Sequence, residues 1–174
     1  MERHTNLLDN FPKTLLHFAP EPCMQSRFRK MSAIRYTTAD LFRTDVTLQT
    51  DITKIRAEDN SFDVIYCSHV LEHVLEDRQA LRELFRVLKP TGWALLQVPI
   101  KLESTYEDAS ITDPQDRLRV FGQKDHVRIY GIDFLDRVKD AGFEVRIYTA
   151  GEANPEDARA MAFASESLYY CTKT

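Results

Sequence analysis

The sequence predicts an α/β fold, with a mostly parallel β-sheet covered by helices on both faces. Segments typical of short strands alternate with segments typical of helices along the chain. Two of the strand-like segments, 62–67 and 93–98, are almost continuously apolar, which is typical of strands buried on both faces. Strand–helix alternation is typical of parallel sheets. The 174 residues suit one domain with its own core, so we expect a single domain over residues 1–174.

The first half of the chain supplies three of the predicted strands, which lie at 14–18, 33–38 and 46–49. The first must end at Ala19–Pro20–Glu21–Pro22, because two prolines cannot lie inside a strand, and a helix over 23–31 follows. Asp40 and Asp51 follow the second and third strands.

The second half begins with a fourth strand at 62–67, a helix at 77–88 and a fifth strand at 93–98. Apolar residues at helical spacing support the helix, and the segment 89–92, which contains proline and glycine, ends it. Residues 101–130 form a long, polar and irregular insertion, a kind of segment that is usually functional in a compact domain. The remaining elements are a helix at 132–141 closed by Gly142, a strand at 143–148, a short helix at 155–163 and a last strand at 167–171.

The amino-acid composition argues against several classes of protein, among them nucleic-acid-binding, disulfide-rich and membrane-spanning proteins. The net charge is −4 and the pI about 5.7, so no overall positive charge favours nucleic acid. The three cysteines are widely separated, which indicates neither a disulfide framework nor a thiolate zinc site. We find no signal peptide and no apolar run that approaches the ~20 residues of a membrane span. We therefore expect a cytoplasmic protein that does not enter a membrane; its oligomeric state is left open.

The predicted crevice lies at the carboxyl ends of the strands, where open parallel sheets bind ligands. This topology brings together Ala19–Glu21, Asp40, Asp51 and Cys67–His69. The residues alone thus predict that these side chains lie at the same edge of the sheet.

Two sequence runs point to a family. Residues 61–74 read SFDVIYCSHVLEHV and residues 80–93 read ALRELFRVLKPTGW. Together they closely resemble the fourth strand and following helix of class I methyltransferases of the type 11 group, and the likeness covers nearly the whole chain. The resemblance implies a Rossmann-like sheet with an antiparallel last strand, S-adenosylmethionine as cofactor, and methyl transfer to an acceptor, which we expect to be a small molecule.

The resemblance also implies roles for residues at the strand ends. Asp40 matches the acidic residue that accepts hydrogen bonds from the ribose, and a carboxylate does offer two acceptors to a vicinal diol. Asp51 and Ile52 match the residues beside the adenine. Cys67 and Ser68 lie where the family places the methionine part of the cofactor.

The loop after the first strand departs from the family. The family normally has a glycine-rich loop there, which allows a close approach of the backbone to the cofactor. No glycine precedes Gly92 in this chain, and two prolines in the loop lack N–H groups. A small residue, Ala19, takes one glycine position, and Glu21 could contact the cofactor's ammonium group. The cofactor contacts predicted in this loop are His17, Phe18, Ala19 and Glu21.

Two histidines are the catalytic candidates, because imidazole titrates near neutrality and can accept an acceptor's proton. His69 ends the fourth strand, and His126 lies in the insertion with Tyr106, Arg128 and Tyr130. We expect the insertion to fold over the crevice and to line the acceptor pocket.

Two alternatives remain. The segment His69–His73 also spells H-x-x-E-H, the inverted zinc-protease motif, which would indicate a zinc hydrolase. His69 ends a strand, however, so we predict no metal ligands. The second alternative is a non-catalytic cofactor-binding or regulatory module. The missing glycines favour it, as does the N-terminal segment 1–13, which we interpret as the stub of a longer N-terminus.

Overall fold

The computed structural model describes residues 5–149 and 167–173. Its strands are β1 (Lys13–Phe18), β2 (Ile34–Asp40), β3 (Leu48–Gln49), β4 (Phe62–Ser68), β5 (Leu88–Gln97), β6 (Ile100–Leu102), β7 (Tyr106–Glu107), β8 (Arg128–Gly131), β9 (Phe143–Thr149) and β10 (Ser167–Lys173). Its α-helices are α1 (Pro22–Phe28), α2 (Asp77–Val87), α3 (Pro114–Phe121) and α4 (Phe134–Asp140), and a 3₁₀ turn covers Leu71–His73.

The main sheet has the strand order β3-β2-β1-β4-β5-β10-β9. The strands from β3 to β5 pair in parallel, whereas β10 is antiparallel to both β5 and β9. The predicted mostly parallel sheet with an antiparallel last strand is confirmed. The strand order reverses between β1 and β4, which is the point where such sheets bind their ligands.

Apolar side chains cover both faces of the sheet, so the prediction of helices on both faces is also confirmed. On one face Phe28 of α1 packs in a cluster with Leu15 and Trp93. On the other face α2 and α4 pack in a larger cluster around Leu16 and Ile65. Neighbouring residues of β1 therefore point to opposite clusters, as the alternation along a strand requires.

The insertion at 101–130 is more regular than predicted. It contains most of β6, then β7 and α3, and it reaches into β8; the three strands form a small separate sheet in the order β6-β8-β7. Asp113 caps the start of α3, and Gly122 ends the helix with a φ of 89°. Strands of two to four residues are too short to show a period of two, which is why the sequence predicted an irregular segment.

The other elements differ from prediction mainly in their boundaries, and the largest differences are in α1 and β5. Helix α1 ends at Phe28 instead of Met31. Strand β5 begins at Leu88, and the predicted turn at 89–92 falls where its register with β4 shifts. The predicted helix at 155–163 lies outside the described residues. Within 5–149 and 167–173, no helix is long and apolar enough to cross a membrane.

Candidate active site

The carboxyl ends of β2, β1 and β4 lie side by side because these strands are neighbours in the sheet. Hydrogen bonds join the loops that follow them. The Ala19 N–H donates to the Ala39 carbonyl over 2.9 Å, and the Arg43 guanidinium donates to the Pro20 carbonyl over 3.0 Å. Asp40 therefore lies directly beside the proline-bearing loop, where the sequence predicted the crevice.

Asp40 and Asp51 use their carboxylates in the same way. Asp40 Oδ1 accepts the N–H groups of Phe42 and Arg43 at 2.8 and 2.9 Å. Asp51 Oδ1 accepts the N–H and the hydroxyl of Thr53 at 2.8 and 2.7 Å. In each case Oδ2 accepts no hydrogen bond from any described residue. Each loop thus fixes one carboxylate oxygen and leaves the other without a hydrogen bond from the described residues.

Ala19 adopts a backbone conformation that glycine usually supplies. Its φ is +46°, in the left-handed region, although it has a Cβ and precedes a proline. Left-handed backbone costs a residue with a side chain about 1–2 kcal/mol, and the position before proline favours extended backbone. The loop after β1 therefore has a glycine-like torsion without a glycine, and alanine is the residue with the smallest side chain that can take it.

Glu21 is held in place from within the core. His17 is fully buried, and its Nε2 lies 2.6 Å from Glu21 Oε2 while its Nδ1 lies 2.8 Å from the Tyr36 hydroxyl. Partial burial raises the pKa of the Glu21 carboxyl, but the hydrogen bond with His17, a backbone hydrogen bond and the nearby His17 and His69 rings together outweigh it and lower that pKa. Phe18 is also buried. Of the predicted loop contacts, only Ala19 and Glu21 are partly exposed at the crevice.

Three further side chains predicted to contact the cofactor are buried. Ile52 and Cys67 belong to the core, and burial raises the pKa of the Cys67 thiol, which stays neutral. Ser68 Oγ lies 3.1 Å from Gln97 Oε1 at the end of β5. The side chains of Ile52 and Cys67 thus stabilise the strand ends and do not line the crevice.

His69 is the accessible residue at the end of β4. Its side chain is 49% exposed, and its φ of +54° turns the chain sharply away from the strand. Nδ1 lies 3.1 Å from Oε1 of Glu72, which fixes the ring. His69 also contributes to lowering the pKa of Glu21, so the corner after β4 lies near the loop after β1.

The turn after β4 does not have the geometry of a zinc hydrolase. That motif requires both histidines on one face of a continuous helix. Here His69 is in left-handed backbone, and the 3₁₀ turn covers only Leu71–His73. The structure gives the hydrolase alternative no support.

His126 lies beneath the crevice rather than on its surface. It is 6% exposed, and its ring packs edge-to-face on His73 with centroids 4.7 Å apart. Burial, together with the neighbouring His73, lowers the pKa of His126. A neutral imidazole is therefore favoured at this position.

Arg128 fastens the turn to the insertion. Its guanidinium donates to the carbonyls of Leu71, Val74 and Leu75, with distances of 3.0 Å to Leu71 and 2.8 Å to Leu75. Its Nε donates to Glu107 over 2.8 Å. Arg128 is thus a buried residue that joins the turn after β4 to the insertion. The prediction that it lines the acceptor pocket was wrong.

Tyr130 was also wrongly placed in that pocket, because it is fully buried. Its hydroxyl donates to Asp77 over 2.8 Å, and Arg137 bridges Asp77 and Glu107 at 2.8 and 3.1 Å. The sequence analysis missed the roles of Asp77 and Arg137. An acidic residue at the start of a predicted helix looks like an ordinary cap, so the pattern gave no sign that it is buried.

Comparison with known proteins identifies the family. A family model described as "Methyltransferase domain" matches residues 9–96, which is half of the chain. No functionally curated protein matches the sequence.

Solved structures share the fold. An S-adenosylmethionine-dependent methyltransferase from Mesorhizobium loti is 16% identical with a TM-score of 0.63, over 95% of this chain and 93% of that chain. The 1,6-didemethyltoxoflavin-N1-methyltransferase of Burkholderia thailandensis, with bound 1,6-didemethyltoxoflavin and S-adenosylhomocysteine, is 14% identical with a TM-score of 0.65, over 97% and 74%. The [4+2]-cyclase SpnF is 18% identical with a TM-score of 0.64, over 94% and 76%.

The cyclase shows that this fold also occurs in a protein named for another reaction, so structural likeness at these identities does not fix the chemistry. The family match does not depend on that likeness, since it rests on the sequence of residues 9–96. The chain therefore belongs to the methyltransferase domain family, and its strand order is that of the class I methyltransferase fold predicted from the motif after β4.

Proposed function

We propose that the protein transfers the methyl group of S-adenosylmethionine to a small-molecule acceptor. The proposal rests mainly on the position of Asp40. One of its carboxylate oxygens accepts no hydrogen bond from the described residues, and the residue lies beside the loop after β1 in a chain that belongs to this family. A carboxylate at the end of β2 with an unpaired oxygen can accept hydrogen bonds from ribose hydroxyls.

The residues around Asp40 fit the rest of the cofactor. Asp51 offers a second unpaired carboxylate oxygen after β3, on the adenine side of the crevice. Glu21 is ionised and oriented by His17, and it can accept the ammonium group of the methionine part. The left-handed torsion at Ala19 supports a close approach of the loop to the cofactor, which the absent glycines had put in doubt.

His69 is the candidate base. When bound, S-adenosylmethionine would supply a sulfonium methyl group; an aligned acceptor lone pair attacks that methyl carbon in line while the carbon–sulfur bond breaks and S-adenosylhomocysteine leaves. His69 Nδ1 lies 3.1 Å from Glu72, which orients the ring, and an imidazole at this position can take up a proton from the acceptor. The half-exposed ring lies at the strand end where the family places the acceptor.

Two observations favour a small molecule as the acceptor. The net charge of −4 gives no overall attraction to nucleic acid. One structural neighbour, the Burkholderia thailandensis enzyme, is named for methylation of the small heterocycle that it binds.

Calorimetric titration with S-adenosylhomocysteine tests the cofactor site. We expect Asp40→Asn to weaken binding about 10- to 100-fold, because the amide keeps the oxygen that fixes the loop but replaces the other acceptor with a donor. Asp108→Asn is the matched control, since Asp108 Oδ1 fixes its own loop through Ser110 in the same way. Equal losses in both variants, or no heat from the unmodified protein at millimolar ligand, would contradict the proposal.

A screen for transfer of isotopic label from S-adenosylmethionine to cell metabolites tests the reaction. We expect label in a small molecule, and His69→Gln to lower turnover of a protic acceptor about 10²- to 10⁴-fold with affinity for S-adenosylhomocysteine retained. Cofactor binding without transfer to any acceptor would instead favour the non-catalytic module.

A further inference from the structure

Three potential metal ligands meet in the turn that follows β4. Glu72 and His73 belong to the 3₁₀ turn, and His126 belongs to the segment that leads into β8. One ligand atom from each of these residues lies within 4.8 Å of the other two. The Val127 N–H donates to the Glu72 carbonyl over 3.0 Å, so a backbone hydrogen bond holds the two segments together.

Glu72 gives an independent reason to expect a cation here. The residue is only 1% exposed, and Oε1 is occupied by His69 at 3.1 Å. Oε2 is buried and has no hydrogen-bond partner within the part of the chain that the structure describes. A buried carboxylate oxygen without a partner is costly, and a bound cation would satisfy it.

One of the two imidazoles has a partner of the kind that orients a metal ligand. His73 Nδ1 lies 3.3 Å from Oδ2 of Asp125, and the ring of His126 packs edge-to-face on that of His73. Metal-binding histidines usually donate their second ring nitrogen to a carboxylate or a carbonyl, which fixes the ring and leaves the other nitrogen for the metal.

We propose that Glu72, His73 and His126 bind one divalent transition-metal ion. Two imidazoles and one carboxylate suit zinc or another first-row transition metal, whereas magnesium and calcium prefer oxygen ligands. A tetrahedral zinc ion holds its ligand atoms about 3.4 Å apart, so side-chain shifts of about 1 Å close the set. Three protein ligands leave a position for water or for an oxygen or nitrogen atom of a small ligand.

This set differs from both earlier expectations. The sequence analysis predicted no metal ligands, and its hydrolase alternative used His69 with His73. The proposed set contains His126 in place of His69. His126 is far from the turn in sequence, and the fold of the insertion places it beside the turn. His69 becomes an outer partner that hydrogen-bonds to the ligand Glu72.

Calorimetric titration of the full chain with Zn²⁺ tests the site. A Cys23→Ser background removes the exposed thiol, which could bind zinc by itself. We expect one zinc ion per chain, a zinc-dependent rise in the melting temperature and no comparable response to Mg²⁺. His73→Asn, His126→Asn and Glu72→Gln should each weaken zinc binding more than 100-fold, beyond the roughly 10- to 100-fold loss typical of outer partners.

His69→Asn is the discriminating control, and we expect it to weaken zinc binding by at most about 10- to 100-fold, the loss typical of an outer partner, and by less than any of the three ligand variants. No zinc binding at millimolar concentration by the folded protein would overturn the proposal. Loss of zinc binding in His69→Asn but not in His126→Asn would overturn it as well. If His126→Asn does not fold, His73→Asn decides, because that ring is partly exposed and its loss is better tolerated. The zinc titration needs no methyl transfer, so its failure is distinguishable from failure of the proposed function.

Discussion

The two sides of the crevice are built differently. On the side proposed to bind the cofactor (the cofactor side), the carboxylates after β1, β2 and β3 are fixed by residues two to four positions away in the sequence. On the side proposed to bind the acceptor (the acceptor side), the turn after β4 is fixed by residues far along the chain, above all Arg128. Local hydrogen bonds therefore hold the partly exposed groups of one side, whereas a mostly buried ionic network shapes the other.

This difference predicts which substitutions change ligand affinity and which change the stability of the fold. Changes of the Asp40 and Asp51 side chains should alter affinity with small effects on folding, because both are at least partly exposed. Changes in the network around Arg128 should alter folding first, because its members are mostly buried and have few alternatives for their hydrogen bonds.

The largest effect is expected for Arg128→Met. The change removes a donor from three carbonyls, those of Leu71, Val74 and Leu75, and leaves Glu107 without one of its two arginine partners. We expect the free energy of unfolding to fall by about 3–5 kcal/mol in urea denaturation. Arg119→Met is the control: that side chain is 75% exposed and, among the described residues, pairs only with Asp116 on the same helix, so a loss under about 0.5 kcal/mol is expected. Similar losses in the two variants would remove the contrast between the two sides.

A smaller effect is expected at Ala19, the strained residue of the cofactor side. Ala19→Val should lower the free energy of unfolding by about 2 kcal/mol, because a β-branched residue tolerates a φ of +46° poorly. Ala19→Gly should raise it by up to about 1 kcal/mol, because relief of strain exceeds the entropy that glycine adds to the unfolded chain. Thermal melts of the pair measure this difference. A more stable valine variant would show that the loop is not strained.

The smallest effect is a pH dependence in the acceptor-side network. Partial burial opposes ionisation of Glu107, but hydrogen bonds from Arg137 and Arg128 outweigh it and hold the pKa of Glu107 below its ordinary value. A lowered folded-state pKa adds stability that is present above the unfolded value of about 4.3 and is lost as the pH falls through the folded value.

Glu107→Gln should therefore lose less stability than the unmodified protein when the pH falls from 6 to 3. Because Glu107 is partly exposed, the difference should be at most about 1 kcal/mol. Urea denaturation at each pH measures it. Parallel pH curves for the two proteins would show that the ion pairs add nothing.

The sequence predicted the strands and strand ends of the cofactor side much better than the structure of the insertion on the acceptor side, and the reason is the range of the interactions. The apolar run of β4 and the aspartates after β2 and β3 are local patterns, and the structure has each of them within a residue or two of its expected position. The burial of Glu72 and the link that Arg128 forms depend on contacts that span 57 residues between Arg128 and Leu71. Contacts between residues so far apart in the chain leave no periodic pattern in the sequence. In addition, β7 has only two residues, which are too few to show the alternation of a strand.

The torsion at Ala19 has a consequence for recognising related chains. A search profile that demands glycine after the first strand would reject this sequence, although its backbone there bends as a glycine would. The feature to look for is an Ala-Pro-Glu turn that follows a histidine buried in the sheet, since that histidine and the turn's glutamate hold each other. Chains with this combination should be classified by the backbone geometry of the loop and not excluded because they lack glycine there.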